Sequence, residues 1–318
     1  HDDPPKLRRM RTPRGKRLLL AAAALAASTT LTACGATATP AGSSTPAGQT
    51  AAPTTMTPPS SVAAPPSASA KPVAITHIHA IARDPSDGTL LLATHEGLYA
   101  KEADGLTLRG PVMDLMGFTV SPDGTFYASG HPGLGAVDLP QPLGLIRSTD
   151  RGRTWQVTSR GGQSDFHALT AGPQMVVGFD GALRTTSDGK QWADRGIPAP
   201  PRSISTSPTS GTLVATTEKG LLRSTDHGAT WQTLTTPALS VLTAWADEST
   251  LVIATTDGRL ATSTDQGAPW TLGTRVVGPV EALWAGRSGS GEGEVVVALH
   301  DRVLRTTDNG ATTTDALA

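Results

Sequence analysis

The sequence predicts an all-β propeller of four-stranded antiparallel blades, six in number. Three observations carry that prediction. A nine-residue phrase recurs as RSTDRGRTW (147–155), RTTSDGKQW (184–192), RSTDHGATW (223–231), TSTDQGAPW (262–270) and a frayed RTTDNGATT (305–313). Its copies begin 37, 39, 39 and 43 residues apart. A recurrence near 40 residues marks units of one small sheet each, which bury their faces only against their neighbours. From Val73 onward, short apolar strands alternate with turn residues and no helical period is present. Each unit can be written as four strands, most plainly at 202–208, 212–217, 220–225 and 230–234. Radial packing of such sheets leaves only short edges exposed. First strands are expected near Ile75, Val112, Asp165, Arg202, Val241 and Val280. A seventh blade would have to hide in 134–142 or at the seam of the ring.

The segment before the repeats divides at Cys34. Met10 is followed by Arg11, Arg14, Lys16 and Arg17, and then by the apolar run LLLAAAALAA at 18–27, too short to span a bilayer as a stable helix. Residues 1–33 are therefore expected to be an N-terminal extension and a signal peptide for export. Leu31-Thr32-Ala33-Cys34 resembles a bacterial lipobox, in which the cysteine takes a lipid and becomes the mature N-terminus. That resemblance implies a membrane partner at Cys34 and a location on the outer face of the cytoplasmic membrane. Cys34 is the single cysteine, which rules out a disulfide within one chain. Residues 34–71 continue as Ala, Thr, Pro, Ser and Gly, a composition predicting a disordered linker. Residues 72–318 are left for the propeller.

Seven of the 26 Lys and Arg and two of the 27 Asp and Glu lie in residues 1–33, so the remainder carries 19 basic against 25 acidic groups. No basic patch stands out, and nucleic acid is not an expected partner.

The recurring phrase resembles the Asp-box, or BNR repeat, of sialidases, sortilin-type receptors and photosystem assembly factors. Its expected chemistry is local. The carboxylate caps backbone N–H groups of a tight turn, Gly tolerates positive φ, and Trp packs back over the hairpin. The structural positions are Asp150, Gly152 and Trp155; Asp188, Gly189 and Trp192; Asp226, Gly228 and Trp231; Asp265, Gly267 and Trp270; and Asp308 with Gly310. Asp188 comes one residue late in its copy, which predicts a rebuilt turn.

Antiparallel connectivity puts these turns on one face of the ring. The starts of first strands and the loops between second and third strands emerge on the other, and that mouth is where a ligand is expected. The histidines gather there in the sequence. His77 and His79, two apart, share a face of the first strand. His167 aligns with His79, as does Met116 in the second blade. His95, His131 and His300 end second strands. The expected ligand set is His77, His79, His95, Met116, His131 and His167. Imidazole with thioether suits copper, and imidazole with Glu96 or Asp165 suits zinc. The competing expectation is a polar channel in which histidines only hydrogen-bond.

The segments THIHAIARDPSDGTLLLATHEGLY, MGFTVSPDGTFYASGHPGLG and SDFHAL are similar to actinobacterial lipoproteins labelled glycosyl hydrolases or sialidase-like. The resemblance implies a glycoside hydrolase as the alternative function. Sialidase chemistry needs three channel-facing arginines, a tyrosine nucleophile with an acidic partner, and an acid. Arg147, Arg184, Arg223 and Arg305 fall on third strands, Arg202 alone on a first strand, and Tyr99 and Tyr127 lack the expected context. A different glycosidase would draw its two carboxylates from Glu96, Asp114, Asp165, Asp180 and Glu281. The sequence favours a binding or assembly module whose ligand, whether small molecule, glycan or protein, it does not name.

Overall fold

The structure, a computed structural model, describes residues 75–134, 136 and 138–318. The predicted signal peptide, Cys34 and the whole of the linker lie outside the described residues.

Six four-stranded antiparallel sheets follow one another along the chain. Blade 1 holds β1 (Ile78–Arg83), β2 (Leu90–Thr94), β3 (Gly97–Glu102) and β4 (Gly105–Arg109). Blade 2 holds β5 (Met113–Val120), β6 (Phe126–Pro132), β7 (Leu145–Ser148) and β8 (Gln156–Ser159). In blade 3 these are β9 (Ala168–Ala171), β10 (Val176–Phe179), β11 (Leu183–Thr186) and β12 (Ala193–Arg195). Blade 4 comprises β13 (Pro201–Thr206), β14 (Leu213–Thr217), β15 (Gly220–Ser224) and β16 (Gln232–Leu234). Blade 5 comprises β17 (Ser240–Trp245), β18 (Leu251–Thr255), β19 (Leu260–Ser263) and β20 (Thr271–Leu272). Blade 6 closes with β21 (Ala282–Arg287), β22 (Gly293–Ala298), β23 (Val303–Thr306) and β24 (Thr314–Asp315). Each blade runs β–β–β–β from the axis outward, and the first strands touch in order around the ring, β21 meeting β1. The described part of 134–142 forms turns without a strand, so the fold is a six-bladed propeller.

Position in the blade explains each strand's composition. β2, β14 and β18 are buried along their whole length because a neighbouring blade covers each face. They accordingly read LLLAT, LVATT and LVIAT, apolar on both sides rather than alternating. The outermost strands β12, β16, β20 and β24 are two or three residues long and largely exposed. Short edges of this kind offer little to pair with another chain.

The core is therefore not central. It is distributed over six apolar clusters, one at each blade-to-blade interface. The cluster joining the last blade to the first packs Val296, Ala298 and Val303 on Ile81, Leu92 and Tyr99. Beside it, buried Glu294 accepts a hydrogen bond from Arg83 Nε at 2.5 Å and another from Arg305 Nε. Ring closure here uses side chains, with no strand shared between first and last blades among the described residues.

The recurring turns lie between the third and fourth strands of blades 2 to 6. In blade 2, Asp150 Oδ1 accepts from Thr154 N at 2.9 Å and from Ser148 Oγ at 2.7 Å, while Ser148 Oγ accepts from Gly152 N at 2.8 Å. Asp226 and Asp308 repeat the pattern with Thr230 and Thr312. Arg151, His227, Gln266 and Asn309 each take positive φ just before the turn glycine. At Gly152 (φ 84°) a Cβ would lie 2.5 Å from Leu98 Cδ2, so blade 1 also requires the missing side chain.

Two copies depart from the pattern. The blade 3 turn is one residue shorter: Asp188 keeps its bond from Thr186 Oγ1 at 3.0 Å, but only Gly189 takes positive φ. In blade 5, Pro269 replaces the capping threonine and offers neither N–H nor hydroxyl, so Asp265 gains no such bonds. Ser263 Oγ still accepts from Gly267 N at 2.9 Å. The tryptophans also depart from simple hairpin packing. Trp192 stacks on Phe166 at 4.9 Å and donates to Ser159 Oγ at 2.8 Å, while Trp231 donates to Gly196 O at 2.9 Å. Both reach the preceding blade.

Candidate functional site

The channel mouth opposite those turns is built by backbone irregularity. β-Bulges interrupt the pairing of first with second strands at His79, Met116, Arg202 and Val241. Bulges re-aim a side chain relative to the sheet. In blades 3 and 6, His167 and Glu281 occupy the equivalent position immediately before β9 and β21. Of these six residues, His79, Met116, His167 and Arg202 line a cavity of about 220 Å³ along the channel.

Blade 1 supplies a compact imidazole cluster. The rings of His77 and His79 lie 4.5 Å apart and those of His79 and His95 4.4 Å apart, both edge to face. His79 Nε2 is 3.3 Å from His95 Nδ1, which lies 2.8 Å from Asp114 Oδ1 of β5. One donor atom each from His79, His95 and Asp114 falls within 4.8 Å of the others. Burial, reinforced by the neighbouring His77 and His95, lowers the His79 pKa from 6.5 to about 4. Its ring is neutral at pH 7, with a lone pair available to a cation. Around this group, His77 Nδ1 lies 3.1 Å from Glu281 Oε2, with His300 Nδ1 at 3.6 Å from Oε1.

A second group forms on Asp165, whose Oδ2 lies 2.8 Å from His167 Nε2 and 3.2 Å from His131 Nε2. The six-member ligand set expected from sequence is thus divided. His79 and His95 converge, His77 stacks beside them and turns to Glu281, and His131 and His167 are taken by Asp165. Met116 lines the cavity. Glu96 does not join the imidazoles: its Oε1 accepts from Thr76 Oγ1 at 2.6 Å.

Asp114 is the donor that sequence reasoning assigned only to a possible hydrolase. A signal for it existed. His77, Asp114 and Asp165 each stand two residues before the axial residue of their blade, His79, Met116 and His167. Alternation along a strand brings such pairs to one side.

The residues a glycosidase would use are arranged otherwise. Among the described residues lining the channel cavity, none is Asp, Glu or Tyr. Tyr99 is buried between blades 6 and 1, Tyr127 packs between blades 2 and 3, and burial raises both phenol pKa values. Arg184 is bound to Asp180 and Asp194, and Arg305 to Glu294, on third strands away from the axis.

The chain matches no family model and no curated protein at the level of sequence. Its fold has relatives among solved structures. The extracellular domain of a proposed hybrid two-component system from B. thetaiotaomicron aligns with a TM-score of 0.54 at 10% identity, over 77% of this chain and 34% of that one. An ancestral GH74 enzyme gives 0.51 at 13% identity, over 77% and 38%. A proposed gluconolactonase gives 0.55 at 14% identity, over 74% and 90%. The chain spans about a third of the length of the first solved structures it matches. At such identities the likeness is one of fold, which does not transfer activity. The chain belongs to the six-bladed β-propellers, and its channel mouth carries a histidine–carboxylate group.

Proposed function

We propose that this propeller is an extracytoplasmic, membrane-tethered binding module whose working mouth holds a transition metal between His79, His95 and Asp114. The observation that carries the reading is the convergence of these three donors within 4.8 Å, contributed by two blades. Two imidazoles and one carboxylate form a donor set suited to zinc, and copper also accepts imidazole. A single cation would engage both ring nitrogens and the carboxylate oxygen at once. His77, held by Glu281, packs edge to face on His79 and would confine that ring. Three protein donors would leave a coordination position for a further ligand. The tether rests on the signal sequence and Cys34.

Metal analysis of the full chain, with titration of zinc and copper into the metal-free protein, tests the reading. The expected result is one equivalent bound per chain, lost in His79→Ala/Asp114→Ala with the fold preserved by circular dichroism. Equal and negligible metal in both proteins would overturn the metal assignment. The tether is tested separately, by radiolabelled-lipid incorporation into the wild type and its absence in Cys34→Ala.

A further inference from the structure

The exposed apolar side chains are not shared evenly between the two faces of the ring. Among the described residues five large ones stand open to solvent: Val112 (42%), Leu134 (96%), Val157 (40%), Leu239 (48%) and Val276 (59%). Val157 belongs to the outermost strand β8. The other four all lie on the histidine mouth, in connections between blades or between second and third strands. They form two pairs. Met113 of β5 pairs with Pro132 of β6, so Val112 and Gly133 follow side by side and Leu134 comes next. A Cβ on Gly133 would stand 2.4 Å from Val112 O. The second pair flanks the β18–β19 loop: Thr256 N donates to Leu239 O at 2.9 Å, and a Cβ on Gly258 would stand 3.1 Å from Val276 Cγ1. In a ring of six, blade 2 stands across from blade 5, so the two pairs flank the mouth from opposite sides. Single exposed apolar residues are ordinary on a surface, but their confinement to one face, at opposite ends of its diameter, marks that face for contact.

We propose that the mouth face docks on a lipid surface, with Val112 and Leu134 entering it on one side and Leu239 and Val276 on the other. Points set across a ring can be met together only by something broad and flat. Aliphatic side chains gain on entering the boundary between headgroups and acyl chains in proportion to the apolar area they bury. The chain also enters the ring from this side. Thr76 donates to Glu96 Oε1 at 2.6 Å in the β2–β3 loop, so residues 34–74 lead from Cys34 to the mouth face. A second copy laid mouth to mouth would set Asp114, Asp165 and Glu281 against the same three acids, and like charges oppose that pairing. The docking rests on the tether proposed above only for bringing the protein to a membrane. In this orientation the histidine group faces the headgroups.

The test is fluorescence of the full chain in a Cys34→Ala background, with one environment-sensitive NBD label at Leu134→Cys, Leu239→Cys or Arg153→Cys. Each protein is titrated with phosphatidylcholine vesicles. Arg153 is exposed on a recurring turn of the opposite face. Emission is expected to shift to the blue from positions 134 and 239 and to stay unchanged from 153. Adding Val112→Asp/Val276→Asp to the Leu239→Cys protein should raise the lipid concentration at half shift by at least about tenfold, because two valines no longer enter the lipid. All these positions are exposed, and circular dichroism checks that each variant keeps the fold. No shift from 134 and 239, an equal shift from 153, or an unchanged midpoint in the Asp variant would each overturn the docking. A blue shift from 134 and 239 without vesicles, growing with protein concentration, would assign the face to a second copy and overturn it as well. Failure of the tether reads differently: wild-type Cys34 carries no lipid while the shifts from 134 and 239 remain.

Discussion

At the scale of single residues, two kinds of titrating group respond to pH in different windows. Hydrogen bonds from the capping threonines lower the pKa values of Asp150, Asp226 and Asp308 from 3.8 to about 2. A carboxylate depressed in the folded state stabilises the protein fully above its unfolded value, and that contribution disappears as pH falls toward the folded one. Thermal denaturation should therefore show Tm falling between about pH 4 and pH 2. The triple Asn variant at these positions should start lower and vary less with pH over that interval. His79 works in the same direction but higher. Its pKa of about 4, against 6.5 unfolded, means that the unfolded chain binds the extra proton between those values. His79 stabilises less as pH drops through that window. Proton titration by NMR of metal-free protein should find one imidazole that stays neutral to about pH 4, and a value near 6.5 for that ring would contradict the burial described.

At the scale of the element, interfaces between blades matter more than hairpins. Trp192 joins blade 3 to blade 2 through Phe166 and Ser159, so Trp192→Ala should cost about 3 kcal/mol by chemical denaturation. Trp192→Phe should keep most of the stacking and lose the hydrogen bond. Much of this level was legible in the sequence. The expected first strands begin within three residues of those observed, because each blade repeats one apolar run bounded by turn residues. The departures have local causes: one residue missing before Gly189, and a proline at 269 where the cap needs a hydroxyl and an N–H. The candidate site was legible only in part. Histidine is conspicuous in a chain with eight of them, whereas Asp114 is one acid among 27, marked in the sequence by no more than its place two residues before Met116.

For the whole molecule, stability depends on joining the last blade to the first. Glu294 is buried and lies between Arg83 and Arg305, so Glu294→Ala would leave two guanidinium groups facing each other at the join. The expected loss is about 3 kcal/mol, at the lower end for a broken buried pair because both arginines keep some solvent contact. Glu294→Ala combined with Arg83→Met should recover part of it. Denaturant melts of the three proteins check this, and no recovery in the double variant would remove charge as the cause.

That closure, made by side chains between sequential blades, has a consequence for where the polypeptide can begin. Ile75 and Leu317 pack on the same cluster, so the two ends of the described ring already meet. Among the described residues no blade is stitched from distant segments; five boundaries are crossed by the chain, and the sixth, between blades 6 and 1, is held by side-chain packing and ion pairing alone. The starting point is thus a matter of gene order rather than of architecture. A chain cut in the 235–239 connection between blades 4 and 5, with its old ends joined by a few glycines, should rebuild the same ring and carry its histidine mouth with it.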